Sequence, residues 1–189
     1  MNRVLISGIS GAGKTTVATA LEWALGLPRY ELDALHHGPG WVKRTEFEAE
    51  VAAFAAGPRW VTEDQYHGAL GDLLWRYADT VVWLDLPRGT VMRQVIRRSF
   101  ARAVTRRELW NGNRESFRDW LAADHPIRWA WRQHAVKRRD TARRIAEHPD
   151  VAVIRLASAR AARRWSAAPR PATACPGLPR PQLTPRRPL

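Results

Sequence analysis

A chain of 189 residues with 45% hydrophobic and 26% charged residues has the composition of a globular protein with one well-buried core, and is too short for two ordinary domains. No apolar run approaches the roughly 18 residues of a bilayer span, and MNRVLISGIS runs into glycine instead of a cleavage site, so the expectation is a cytoplasmic protein, neither exported nor inserted. The net charge of +13 is segregated: residues 1–87 hold 7 Lys/Arg against 11 Asp/Glu, whereas residues 88–144 hold 16 against 5. That pattern suits arginines closing over a polyphosphate, and it would attract a nucleic-acid backbone equally well.

In chain order, Arg3 to Ser7 (RVLIS) is a short β-branched run ending at glycine, which predicts a buried first strand. Lys14 to Leu25 repeats apolar residues at helical spacing and stops at Gly26, with Pro28 beyond. Arg29 to Leu32 reads as a second strand, Thr45 to Ala56 as a helix closed by Gly57 and Pro58, and Trp60 to Glu63 as a third strand. TVVWLD (Thr80 to Asp85) predicts a fourth, ended by Pro87. Thr90 to Ala103 and Ile127 to Glu147 predict long basic helices, with a last strand at Val151 to Leu156. Strands alternating with helices imply an α/β fold, a parallel sheet covered on both faces. Between the basic helices, residues 104–114 lack periodicity and contain Asn111, Gly112 and Asn113, so a mobile loop is expected there. Residues 169–189 hold 7 of the 13 prolines, no acid, and the only cysteine, Cys175. The expectation is one domain over residues 1–168 and a disordered tail.

Gly8-Ile9-Ser10-Gly11-Ala12-Gly13-Lys14-Thr15 satisfies G-x-x-x-x-G-K-[ST] between a predicted strand and a predicted helix. The glycines let successive amide N–H groups turn toward phosphate oxygens, and the helix start adds its positive dipole end. On this reading Gly8, Ser10, Gly11, Ala12, Gly13, Lys14, Thr15 and Thr16 bind the phosphates of ATP. Lys14 reaches the β- and γ-phosphates, and the Thr15 hydroxyl ligates Mg2+. A dinucleotide fingerprint is excluded by the spacing.

Phosphoryl chemistry also needs carboxylates beside the phosphates, and in an α/β sheet the ends of strands supply them. Glu63 closes WVTE and Asp33 closes YELD. Asp33 can also be read as a turn or helix cap, Asp64 as a solvated neighbour of Glu63, and Asp85 as structural.

The loop GISGAGKT, ELDALHHGPGW (Glu31 to Trp41), WVTEDQY (Trp60 to Tyr66) and ADTVVWLDLPR (Ala78 to Arg88) together resemble the small P-loop kinases related to adenylate kinase, in particular the DNA topology modulation protein (FlaR-like) branch. The resemblance covers about residues 1–167. It implies a three-layer α/β/α P-loop NTPase fold, with a five-stranded parallel sheet of order 2-3-1-4-5 and an arginine-rich lid at about residues 104–114. It also implies that Glu63 orients water on Mg2+, and that Asp33 holds the acceptor hydroxyl as candidate base. Asp64 stands where the family often has glycine.

Arg98, Arg102, Arg106, Arg107 and Arg114 surround the lid, and Arg138 and Arg139 follow. As a group they are read as neutralising charge on the moving phosphoryl; Arg102, Arg106 and Arg138 are the catalytic candidates. Trp110, Trp120, Trp129 and Trp131 are read as packing between the long helices. His36 and His37 lack further ligands at metal spacing and are candidates to line an acceptor pocket. The favoured expectation is a kinase moving the γ-phosphoryl of ATP to a small nucleotide, nucleoside or other hydroxyl acceptor. The alternative is a nucleic-acid-associated P-loop NTPase or regulator without kinase activity.

Overall fold

A computed structural model of the chain describes residues 1–105 and 126–171, apart from the side chains of residues 41, 102–105, 126 and 127. Five strands form one parallel sheet: β1 (Arg3–Ser7), β2 (Arg29–Tyr30), β3 (Trp60–Glu63), β4 (Thr80–Leu84) and β5 (Ala152–Leu156). Their spatial order is β2-β3-β1-β4-β5, with β1 hydrogen-bonded to β3 and β4. Eight α-helices are described: α1 (Lys14–Leu25), α2 (Leu32–His36), α3 (Phe47–Ala55), α4 (His67–Leu70), α5 (Leu73–Tyr77), α6 (Arg88–Thr105), α7 (Pro126–Glu147) and α8 (Ala159–Ala167). None is long and apolar enough to cross a membrane.

The central strand is apolar at successive positions because both of its faces are covered. Val4 and Ile6 join Val82, Leu84 and the α1 residues Val17 and Leu21 in one cluster. Leu5 joins Val81, Trp60, Trp75 and the α3 residues Phe47 and Val51 in the other. Val4, Leu5 and Ile6 are all inaccessible to solvent, and each buried side chain of this size contributes about 1.5–3 kcal/mol of transfer free energy. The same alternation turns Ser7 to the side of Leu5, where it meets α7.

Three elements differ from the sequence reading. The second strand stops at Tyr30, because it pairs with β3 only at Arg29 and Tyr30; the N–H groups of Ala34 and Leu35 turn to Glu31 O. Leu32 and Asp33 therefore begin a helix instead of ending a strand. The segment expected as a loop from Val104 is still helical through Thr105. Arg106, Arg107, Trp110, Arg114 and Trp120 lie outside the described residues, as does the tail from 172. Unread in the sequence were α4, α5 and α8; the last carries its own start signal, the Ser158 Oγ accepting from Ala161 N at 3.1 Å.

Candidate active site

The turn after β1 bends because its glycines reach backbone angles that other residues resist. Gly11 (φ 83) and Gly13 (φ 97) are left-handed, and Gly13 is the N-cap of α1. A Cβ on Gly11 would stand 2.8 Å from the Val95 Cβ, so α6 packs directly on the loop. From the same helix, Arg98 Nη2 donates to Ser10 Oγ at 3.1 Å. Lys14 opens α1 and is only 7% exposed. Burial lowers its pKa, against the raising influence of Glu63 and Asp33, while Lys137 and Arg98 add to the lowering. Two carboxylates and two further cations thus act on one buried ammonium.

Glu63 leaves the end of β3 beside that ammonium, with Oε2 3.6 Å from Lys14 Nζ. Its Oε1 accepts a 2.7 Å hydrogen bond from Thr15 Oγ1. Thr15 and Thr16 are exposed in the first turn of α1, where backbone N–H groups have no intrahelical acceptor. These residues fit a polyphosphate with a hard divalent cation: a cation too far from its carboxylate for a hydrogen bond, glycines where a Cβ would collide or strain, and paired hydroxyl and carboxylate oxygens.

Asp33 sits in the first turn of α2, but it does not cap that helix, whose N-cap is Glu31. Its Oδ1 accepts from the Tyr66 hydroxyl at 2.6 Å, and that hydroxyl lies 3.1 Å from His37 Nε2. Since the tyrosine proton goes to the carboxylate, His37 donates to the tyrosine oxygen through Nε2–H. The His36 ring stacks on Tyr66 with centroids 4.2 Å apart. Tyr66 is the one non-glycine residue with positive φ (56°) among the described residues, a conformation costing about 1–2 kcal/mol. Burial, then the Asp33 charge, raises the Tyr66 pKa and keeps the phenol protonated.

Asp64 corrects the sequence reading, being 2% exposed instead of solvated. The end of β3 turns its side chain inward, where Ser7 Oγ (2.6 Å), Trp75 Nε1 (2.9 Å) and Lys137 Nζ (2.9 Å) all donate to the carboxylate. His67 Nε2 stands 3.2 Å from Oδ1 and 2.8 Å from Lys137 Nζ. Burial alone would raise this carboxyl's pKa; the His67 hydrogen bond, the Lys137 charge and the Ser7 hydrogen bond hold it far below the usual carboxylate range. Ser7, the residue before the loop, also bonds Thr141 of α7 at 2.9 Å. None of Ser7, Tyr66, Lys137 or Thr141 was singled out in the sequence, because a lone hydroxyl, phenol or lysine carries no motif.

Of the catalytic arginine candidates, Arg138 pairs with Asp85 at 2.7 Å and lines a small cavity together with Gly8 and Ile9. Arg155 bonds the same Asp85. The side chain of Arg102 and all of Arg106 lie outside the described residues. Trp129 and Trp131 are not buried, at 41% and 55% exposed; Trp131 of α7 meets α6 through the Arg88 guanidinium, 4.9 Å from its ring centroid.

No protein-family model and no curated protein matches the sequence. Solved structures do match. Shikimate kinase from Acinetobacter baumannii in complex with shikimate shares 15% identity at a TM-score of 0.53, with 88% of this chain and 89% of that chain covered. A gluconokinase from Sinorhizobium meliloti 1021 aligns at 16% identity and a TM-score of 0.46, over 88% of this chain and 91% of that one. A sugar kinase from Janibacter sp. aligns at 19% identity and a TM-score of 0.43, over 85% and 86%. The sheet order β2-β3-β1-β4-β5, with a glycine loop between β1 and α1, is the α/β fold of the P-loop kinases.

Proposed function

We propose that this chain is an ATP- and Mg2+-dependent phosphotransferase that passes the γ-phosphoryl group to a hydroxyl of a small acceptor held at Asp33. The observation that carries the reading is that Glu63, at the end of β3, meets both the Thr15 hydroxyl of the loop and the buried Lys14 ammonium, with the charge of Asp33 from α2 acting on that same ammonium. ATP with Mg2+, when bound, supplies the phosphoryl group and the counter-charge that lets it move. The loop amides and Lys14 hold the β- and γ-phosphates, so the buried ammonium gains the anionic partner that Glu63 supplies only at 3.6 Å. Thr15 Oγ1 and Glu63 serve as metal-side oxygens. Arg98, resting on Ser10, is a further cation on the phosphate side, and Arg102, Arg106 and, from α7, Arg138 stay candidates for neutralising charge on the moving phosphoryl group.

Asp33 accepts the acceptor's hydroxyl proton as that oxygen bonds to the γ-phosphorus and the bond to ADP breaks. Tyr66 occupies Oδ1, leaving Oδ2 for the acceptor. The fold of a kinase does not name its acceptor. The test is a screen of polyols, nucleosides and nucleoside monophosphates for acceptor-stimulated ADP release with a phosphorylated product. ATP hydrolysis that no acceptor stimulates, with low-salt nucleic-acid binding of steep salt dependence, would favour the nucleic-acid-associated alternative.

A further inference from the structure

Helix α7 is joined to the sheet at the edge where the phosphate loop and Glu63 leave it. Lys137 and Thr141 lie one turn apart, so both reach the sheet from one face of the helix. Both are withdrawn from solvent, Thr141 completely and the Lys137 side chain to 13% exposure. Thr141 meets Ser7, the last residue of β1 and the one before Gly8. The Ser7 proton goes to Asp64, so Thr141 is the donor in that pair. Lys137 reaches Asp64, the residue after Glu63, at its carboxylate (2.9 Å) and at its backbone carbonyl (3.5 Å).

Asp64 is thereby held through backbone and side chain alike. Its N–H donates to Ile6 O at 2.9 Å, and its carboxylate accepts from Ser7, Trp75 and Lys137. A residue fixed in this way leaves the backbone of its neighbour Glu63 little freedom. That restraint bears on the site, because Glu63 keeps two distances to the loop: 2.7 Å from Oε1 to Thr15 Oγ1 and 3.6 Å from Oε2 to Lys14 Nζ. The polar partners of the Lys137 ammonium are Asp64 and His67, not the loop. Its charge nevertheless acts on Lys14, which puts the tie within electrostatic range of the phosphate site.

We infer that Lys137 is a positioning residue for metal-assisted phosphoryl transfer: from α7 it locks Asp64, and through Asp64 it sets the place of Glu63 opposite Thr15 and Lys14. The inference rests on the phosphotransferase reading above, in which Glu63 serves the metal side. Loosening the tie should weaken the use of Mg2+ while sparing the hold of the loop and Lys14 on the phosphates.

The experiment compares the full chain with Asp64→Asn/Lys137→Met, which removes both members of the buried pair and leaves neither charge unpaired. Calorimetric titration gives the ATP Kd with and without Mg2+, ADP release gives turnover, and the thermal midpoint reports whether each variant is folded. The parent should bind ATP more tightly with Mg2+. In the double variant the Mg2+-free Kd should stay within about twofold, whereas the gain from Mg2+ and the turnover should each fall about tenfold or more, as for groups that orient a metal ligand. Lys137→Gln, which keeps a donor, is read by the same criteria should the double variant not fold. Asp72→Asn releases Arg144 and His148 toward the other end of α7; it controls for a loosened helix and should leave the gain from Mg2+ unchanged. An unaltered gain in the folded Lys137 variant overturns the inference, as does an equal loss in Asp72→Asn. A weakened Mg2+-free Kd also overturns it, because Lys137 would then be a phosphate contact. A parent that does not bind ATP, or binds it no better with Mg2+, would instead overturn the phosphotransferase reading beneath.

Discussion

Lys14 is a cation that the fold buries beside a carboxylate it does not quite reach, and its lowered pKa has a sign that can be tested. A lysine whose folded pKa lies below its unfolded value destabilises the folded protein while protonated, and the penalty fades as pH rises through the folded pKa toward the ordinary 10.5. Lys14→Met removes the buried charge, so the ligand-free thermal midpoint at neutral pH should hold or rise. The upward shift given by ATP, worth about 2.7 kcal/mol at a hundredfold excess over Kd, should disappear. A midpoint scan with and without ATP checks both, and an intact ATP shift would remove the phosphate role. Asp33 and Glu63 separate by function. Asp33→Asn should cut acceptor-stimulated turnover by about 10²–10⁴-fold while sparing unstimulated hydrolysis; Glu63→Gln should lower both if, as proposed, it acts on the metal side. Tyr66→Phe removes the donor to Asp33 Oδ1. It should lower stimulated kcat and alter its pH profile with little change in ATP affinity, because the phenol contacts Asp33, the proposed acceptor base, and not the loop.

At the scale of elements, one buried carboxylate ties three of them together. Asp64 at the end of β3 receives Ser7 from β1, Trp75 from α5 and Lys137 from α7. Its folded pKa lies below the unfolded one, so the stability it contributes is present above the unfolded value of about 3.9 and is lost as pH falls further toward the folded pKa. Asp64→Asn leaves Lys137 buried without its counter-charge and should cost about 3–5 kcal/mol, with less acid sensitivity below pH 4 than the parent; urea unfolding at several pH values measures both. The contact between α6 and the loop makes a separate prediction. Gly11→Ala places a Cβ 2.8 Å from Val95 and strains a φ of 83°, so ATP affinity should fall while β1 and the sheet persist. Calorimetric titration with ATP, alongside far-ultraviolet circular dichroism, distinguishes the two effects.

For the whole molecule, α8 closes the described domain: Trp165 packs against the core cluster and its Nε1 donates to Arg170 O at 3.1 Å. Removing residues 172–189 should therefore shift the thermal midpoint by less than the roughly 2–4 °C that 1 kcal/mol represents in a domain of this size; a larger drop would mean that the tail docks. Much of this architecture is local in origin. The strand and helix on either side of the phosphate loop, Arg3–Ser7 and Lys14–Leu25, are read directly from apolar runs bounded by glycine, and the loop itself is a motif because backbone geometry demands glycine at fixed spacing. Trp60–Glu63 is legible for the same reason. The sequence alone thus determined the sheet's main elements and the glycine loop, and it singled out Glu63 and Asp33 as candidates. Which neighbours those carboxylates acquire was decided by tertiary structure. Asp33 left its expected strand because the edge strand ends after two pairs. Asp64 turned inward because Ser7, Trp75 and Lys137, 57, 11 and 73 residues away in the chain, arrive around it. Such contacts depend on non-local packing and strand register, which no local periodicity encodes.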